Sequence, residues 1–132
     1  MRYITISFLL LLAIARAADP DLAGKYTGEW KSNSSGGAGT FRMSLERAAD
    51  GAWKSEVSFT FGGDEVKTIM RQVKVEQSKV DVSYDFDLLG NMLRSRVTGE
   101  LKGNALEGKY QTTAVEGGSA VDDGTWNASR AK

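Results

Sequence analysis

From Gly24 onward, apolar and polar residues alternate with a period close to two, the pattern of strands that bury one face and wet the other. Tyr26, Gly28 and Trp30 share one side of the first segment, residues 24–33. Phe41, Met43 and Leu45 alternate with Arg42, Ser44 and Glu46, and Trp53, Val57, Phe59 and Phe61 alternate with Lys54, Glu56, Ser58 and Thr60. The pattern returns at Val80, Val82, Tyr84 and Phe86, at Leu93, Val97 and Leu101, at Leu106, Gly108 and Tyr110, and at Trp126 and Ala128. It predicts an all-β domain of about eight strands, a usual number for a small barrel.

Register follows from the turns, because a one-residue slip would turn an apolar face to water. A Gln77-Ser78 turn sets Val75 against Val80 and Val73 against Val82, with Lys74 facing Asp81 outside. A Gly103-Asn104 turn sets Leu101 against Leu106 and Gly99 against Gly108, a gap where a large ring could cross the interior. Around Gly90-Asn91, Asp85 and Asp87 fall opposite Arg94 and Arg96, and a two-residue slip still leaves Asp85 facing Arg94. This stripe reads as exposed cross-strand pairing rather than a catalytic carboxylate cluster. In the segment from Val66 to Val75 the inward set shifts from Val66 and Met70 to Val73 and Val75, which predicts a bulge near Met70 to Gln72.

Short turns leave no room for a crossover helix, so the expected architecture is an antiparallel up-and-down β-barrel. Alternation then divides the turns between two ends. Asp50-Gly51, Gln77-Ser78 and Gly103-Asn104 fall at one; residues 33–39, 62–64, 88–91 and 114–123, longer and rich in Gly and Ser, fall at the other. The second end is the expected mouth of any cavity, with Leu88 and Leu89 at its rim. The alternative is a barrel filled solid by its own side chains.

The N-terminus changes the picture of where the domain works. Arg2, an apolar run from Ile4 to Ile14 and Ala15-Arg16-Ala17 before Ala18 form the pattern of a cleavable signal peptide. The run is too short for the roughly twenty residues that a bilayer-spanning helix needs. Residues 1–17 are therefore expected to be removed, with cleavage after Ala17 or Ala18, leaving residues 18–132 as a single secreted or periplasmic domain with no membrane attachment. Losing Arg2 and Arg16 turns a balance of 17 basic and 17 acidic residues into a net charge of −2. That offers no electrostatic footprint for nucleic acid. The chain has no cysteine and no histidine. Disulfides, Ser-His and Cys-His catalysis, and zinc or copper sites built on those residues are excluded. Asp81, Asp85, Asp87, Glu100 and Glu107 face outward by parity, so the paired carboxylates of a glycosidase are not expected to meet in a cleft. Glu116, Asp122 and Asp123 lie in a Gly-rich stretch of no EF-hand spacing and read as a solvated loop. No metal, no cofactor and no enzymatic activity are expected.

Gly28-Glu29-Trp30 on the opening strand resembles the Gly-x-Trp of calycins, the lipocalin, fatty-acid-binding and avidin-like barrels. Arg130 stands where lipocalin-like proteins place a cation over that tryptophan, which implies a Trp30–Arg130 contact sealing one end. Trp126-Asn127-Ala128-Ser129-Arg130 is similar to the Trp-x-Ala-x-Arg of avidin's last strand, whose tryptophan contributes to a biotin site. Avidin has Asn two places after the Gly-x-Trp tryptophan, whereas Ser32 stands there, so the resemblance implies the barrel and not biotin.

The expected function is binding of a small apolar or amphipathic ligand in the barrel interior. Tyr26, Trp30, Trp53, Tyr84, Tyr110 and Trp126 are the candidate lining residues, with Leu88 and Leu89 at the rim, because rings offer large area and their O–H or N–H groups can orient a ligand. The alternative is a protein-interaction module, for example an enzyme inhibitor, using rim loops or the outer face. An interior void of several hundred Å³ open at the Leu88 end separates the first from the second.

Overall fold

The structure, a computed structural model, describes residues 21–131; the expected signal peptide lies outside them. Nine strands follow one another: β1 (Gly24–Ser32), β2 (Ala38–Arg47), β3 (Trp53–Phe61), β4 (Asp64–Lys67), β5 (Ile69–Glu76), β6 (Lys79–Leu88), β7 (Asn91–Lys102), β8 (Ala105–Ala114) and β9 (Ala120–Arg130). All neighbours are antiparallel, in the order β4-β3-β2-β1-β9-β8-β7-β6-β5, so the first and last passes of the chain meet in the middle of the sheet. The sheet curls into a nearly closed barrel.

Closure comes from one stretch of chain. Only Thr68 separates β4 from β5. β4 pairs with β3 over Ser58–Phe61, whereas β5 pairs with β6, so a single pass changes partner partway along the wall. Counting that pass once gives the eight expected from the alternation. The register shifts between Met70 and Gln72, where the inward set changes phase. Thr68 bridges the change by donating its hydroxyl to the Val57 carbonyl at 2.6 Å. Below that point β3 residues 53–57 and β5 face each other with no backbone pairing, which leaves a seam in the wall.

The expected pairs Val73↔Val82, Lys74↔Asp81, Val75↔Val80, Gly99↔Gly108 and Leu101↔Leu106 all form. The β6–β7 hairpin takes the register slipped by two residues from the tightest one, with Asp85 facing Arg94. It turns on Leu89-Gly90, both at positive φ (55° and 87°), so Asp87 lies opposite Met92 and not opposite an arginine. Asp87 instead accepts the Gly90 N–H at 2.9 Å and holds the turn. Asp85 does face Arg94, which donates to it through Nε and Nη2 at 2.7 and 3.1 Å, and Arg96 reaches diagonally to Asp81. These guanidinium pairs hold both carboxyls below the usual carboxylate range against the opposing effect of burial.

The core is the inward set: Tyr26, Phe41, Met43, Leu45, Val57, Val80, Val82, Tyr84, Phe86, Leu93, Val97, Leu106, Trp126 and Ala128, with Leu22 ahead of β1. Each such large apolar side chain contributes about 1.5–3 kcal/mol on burial. Leu22 and Tyr26 plug one end. Tyr26 donates its hydroxyl to the Leu22 carbonyl at 2.8 Å, and Arg130 lies over the Tyr26 ring at 5.4 Å while donating to the Tyr26 oxygen and to the Asp21 carbonyl. The expected Trp30–Arg130 contact is therefore not made. Arg130 is in register with Tyr26, while Trp30 pairs with Trp126 further along the same two strands. The cation seals the barrel on a tyrosine, and the tryptophan is released to the opposite end.

Candidate functional site

At the end opposite the plug, the barrel encloses a cavity of about 280 Å³ bounded by the upper parts of β1, β2, β3, β6, β7, β8 and β9. It opens where Ser34, Ser35, Phe61, Leu88 and Val121 stand at the strand ends, the end to which alternation assigns the Gly- and Ser-rich loops. Two kinds of group line it.

The first is aromatic, from strands all round the barrel. Trp30 of β1 stacks on Phe61 (centroids 6.4 Å apart, planes 10° apart) and meets Phe59 and Tyr110 edge to face at 6.4 and 6.3 Å. Phe59 meets Phe86 edge to face at 5.0 Å. Such pairs are worth about 0.5–1.5 kcal/mol each beyond their burial. The Trp30 Nε1 donates to the Thr60 carbonyl at 2.9 Å, which fixes the ring against the wall. Toward the closed end Phe41 and Trp126 pack at 5.0 Å. Trp126, buried, lies across the inner face of the wall at the expected gap: a Cβ on Gly99 would lie 2.6 Å from its Cζ2, so a side chain there would displace the ring. Its Nε1 donates to the carbonyls of Thr98 and Lys109 at 3.1 and 3.2 Å.

The second is a row of hydroxyls and one carboxylate at a single level of the barrel. Tyr84, Ser95, Thr112 and Asp122 are successive cross-strand partners on β6, β7, β8 and β9, and all line the cavity. Ser95 and Thr112 share a hydrogen bond of 2.5 Å. Burial pushes the Tyr84 phenol far above its ordinary value, so it stays neutral and can donate. Asp122 ends the row. Its Oδ1 accepts the hydroxyls of Ser32 and Ser34 at 2.6 and 2.8 Å, and its Oδ2 accepts the Tyr110 hydroxyl at 2.8 Å. Burial works to raise its pKa, but these three donors and the Asp123 amide outweigh it and keep the carboxyl ionised below its usual range. Tyr110 moves the other way: burial first, then its bond to Asp122, push the phenol up and keep it protonated. Ser32, buried, also accepts the amides of Ser34 and Ser35, and the Asn33 amide donates to the Asp123 carbonyl at 2.8 Å. The rim between β1 and β2 is thus tied to β9 and to the carboxylate.

Of the candidate residues, Trp30, Tyr84, Tyr110, Trp126 and Leu88 line this cavity. Tyr26 does not, because it belongs to the plug at the other end. Trp53 does not either: it starts β3 at the closed end, under the Arg47 guanidinium at 4.7 Å. Leu89 points away from the cavity at 88 % exposure. Asp122 and Asp123 are not loop residues, since β9 begins at Ala120. Extending the inward phase of Trp126 back through Gly124 reaches Asp122, and the same phase reaches Ser95 from Val97 and Thr112 from Tyr110. Polar residues at inward positions were the available signal. Among the described residues no group of three or more His, Cys, Asp or Glu side chains comes together to hold a metal ion.

The chain matches no protein-family model, no curated protein and no solved structure, so its own geometry carries the functional reading.

Proposed function

We propose that this protein is a non-catalytic carrier or sequestering protein that holds a small, largely apolar molecule inside the barrel. The observation that carries the reading is the cavity of about 280 Å³, open at one end, lined by aromatic rings and by oriented hydroxyls. Its size lies just under the roughly 300–1,000 Å³ usual for ligand pockets and suits a molecule of one ring or a short chain. Preorganisation supports it too: the rings are wedged against glycines and the polar row is internally bonded, so little order remains to be gained on binding. The calycin resemblance adds nothing here, since its distinguishing contact is replaced by Arg130 over Tyr26. Export is part of the proposal, on the strength of the apolar leader before Ala17.

Native mass spectrometry of protein purified from its own source tests both parts. The mass of a chain cut after Ala17 or Ala18, with a retained small molecule lost on activation, is the expected result. An uncut chain would remove the export reading, and an empty cavity that also admits no small aromatic probe in titration would remove the carrier reading.

A second reading rests on one observation. Five of the six exposed large apolar side chains among the described residues, Phe61, Leu89, Met92, Val115 and Val121, lie around the mouth. An apolar collar of this kind suits docking of the rim against a partner protein. A partner that co-purifies and is released by Leu89→Ser would favour it over the carrier.

A further inference from the structure

Asp122 is the one charged side chain among those that line the cavity. Every group that bonds to it, Ser32, Ser34, Tyr110 and the Asp123 amide, is neutral. Hydrogen bonds from neutral donors stabilise an anion without cancelling its charge, and no Lys or Arg lies within ion-pair distance of it among the described residues. A full negative charge therefore faces an apolar, partly enclosed space. Beside it stand the rings of Trp30, Phe61 and Tyr110, held in a stacked and edge-to-face set, with the Tyr110 hydroxyl bonded to the carboxylate itself. Aromatic quadrupoles attract cations, and their attraction adds to that of a carboxylate wherever water is excluded. An anionic ligand meets repulsion in such a site. A neutral one leaves the charge uncompensated.

Resting on the carrier reading, we infer that the ligand is a small organic cation: an ammonium group on a one-ring or short-chain apolar body, with the nitrogen beside Asp122 and against the neighbouring rings of Trp30 and Phe61 and the body lying toward Trp126 and Phe41. The site takes a protonated amine through the mouth, apolar body first, which leaves the ammonium at the level of Asp122 near the rim. Tyr84, Ser95 and Thr112 hydrogen-bond any polar group on the body.

Three probes of one shape decide the matter: 2-phenylethylammonium, the neutral 2-phenylethanol and the anionic 3-phenylpropanoate, each titrated calorimetrically at pH 7 into the mature protein. The ammonium is expected to bind at least about tenfold more tightly than the alcohol, because charge-assisted hydrogen bonding and cation–π attraction both act on it alone. The anion is expected to be the weakest. Asp122→Asn should weaken the ammonium at least about tenfold and the alcohol far less, so that the two affinities converge; a variant that keeps the wild-type ratio of ammonium to alcohol overturns the inference. Phe61→Leu, which keeps apolar volume and removes a ring, should weaken the ammonium several-fold and the alcohol little. Equal binding of ammonium and alcohol, or preference for the anion, overturns the cation inference and leaves the carrier reading standing. Failure of all three probes to bind removes the carrier reading and the inference together.

Discussion

A single missing methyl group decides where the Trp126 indole sits. Gly99→Ala places a Cβ 2.6 Å from Cζ2 of that ring and 3.0 Å from the Glu107 carbonyl, so the indole must move. The expected cost is about 1–3 kcal/mol, the usual range for overpacking, and a shift in tryptophan emission should accompany the lower urea midpoint. Asp122 gives a second prediction with a defined sign. Its folded pKa is depressed, so the carboxylate contributes stability in full above its unfolded value, near 3.8, and that contribution disappears as pH falls through the lower folded value. Asp122→Asn should therefore destabilise the protein at pH 7, by about 1–3 kcal/mol for lost charge-assisted bonds, with the gap between wild type and variant narrowing in urea titrations as pH falls below the unfolded value near 3.8. A difference that stays constant from pH 7 to pH 2.5 would assign the loss to packing instead. The aromatic half of this site was legible from the sequence, because rings at inward positions stand out against the alternation. The polar half was not. Ser95, Thr112 and Asp122 occupy the same inward phase, but an isolated hydroxyl or carboxylate reads as a break in the pattern until the barrel brings four strands to one level.

Elements show the same division between what neighbouring residues decide and what distant ones decide. The β5–β6 and β7–β8 hairpins are local: their turns and flanking valines and leucines fix the pairing, and Val73↔Val82 and Leu101↔Leu106 follow. In the β6–β7 hairpin turn propensity pointed to Gly90-Asn91, and the sheet chose Leu89-Gly90. That register puts Phe86 against Leu93 and Val82 against Val97, both in the core, and it brings Asp85 to Arg94. Leu89 bears the cost, with φ of 55° and its side chain in solvent. A left-handed conformation costs a residue with a Cβ about 1–2 kcal/mol. Replacing it by Asn, which supplies the Asn-Gly pair that this turn favours, should raise the stability by about 0.5–1 kcal/mol and the melting temperature with it. The change of partner at Thr68 was beyond local reading. Nothing in the segment from Val66 to Val75 except its phase shift records that one half belongs to β3 and the other to β6.

Across the whole molecule, stability should be uneven around the wall. β7 and β8 are paired on both sides along most of their length, while β3 below Ser58 and the outer side of β5 are paired on one. Amide exchange measured by NMR should be fastest, within strands, at residues 53–57 and along β5, and slowest at Val97 and Leu106; uniform protection would mean the seam is closed in solution. The plug has a different consequence. Because β1 starts and β9 ends beside each other, joined by the Ala131 amide to the Lys25 carbonyl at 2.7 Å, both ends of the described chain leave the barrel on the side away from the mouth. Immobilised through either terminus, on a bead, a sensor chip or a fused scaffold, the protein would stand with its opening outward, and a short linker across those ends would allow the chain to be cut and restarted at Asp50-Gly51 without disturbing the cavity.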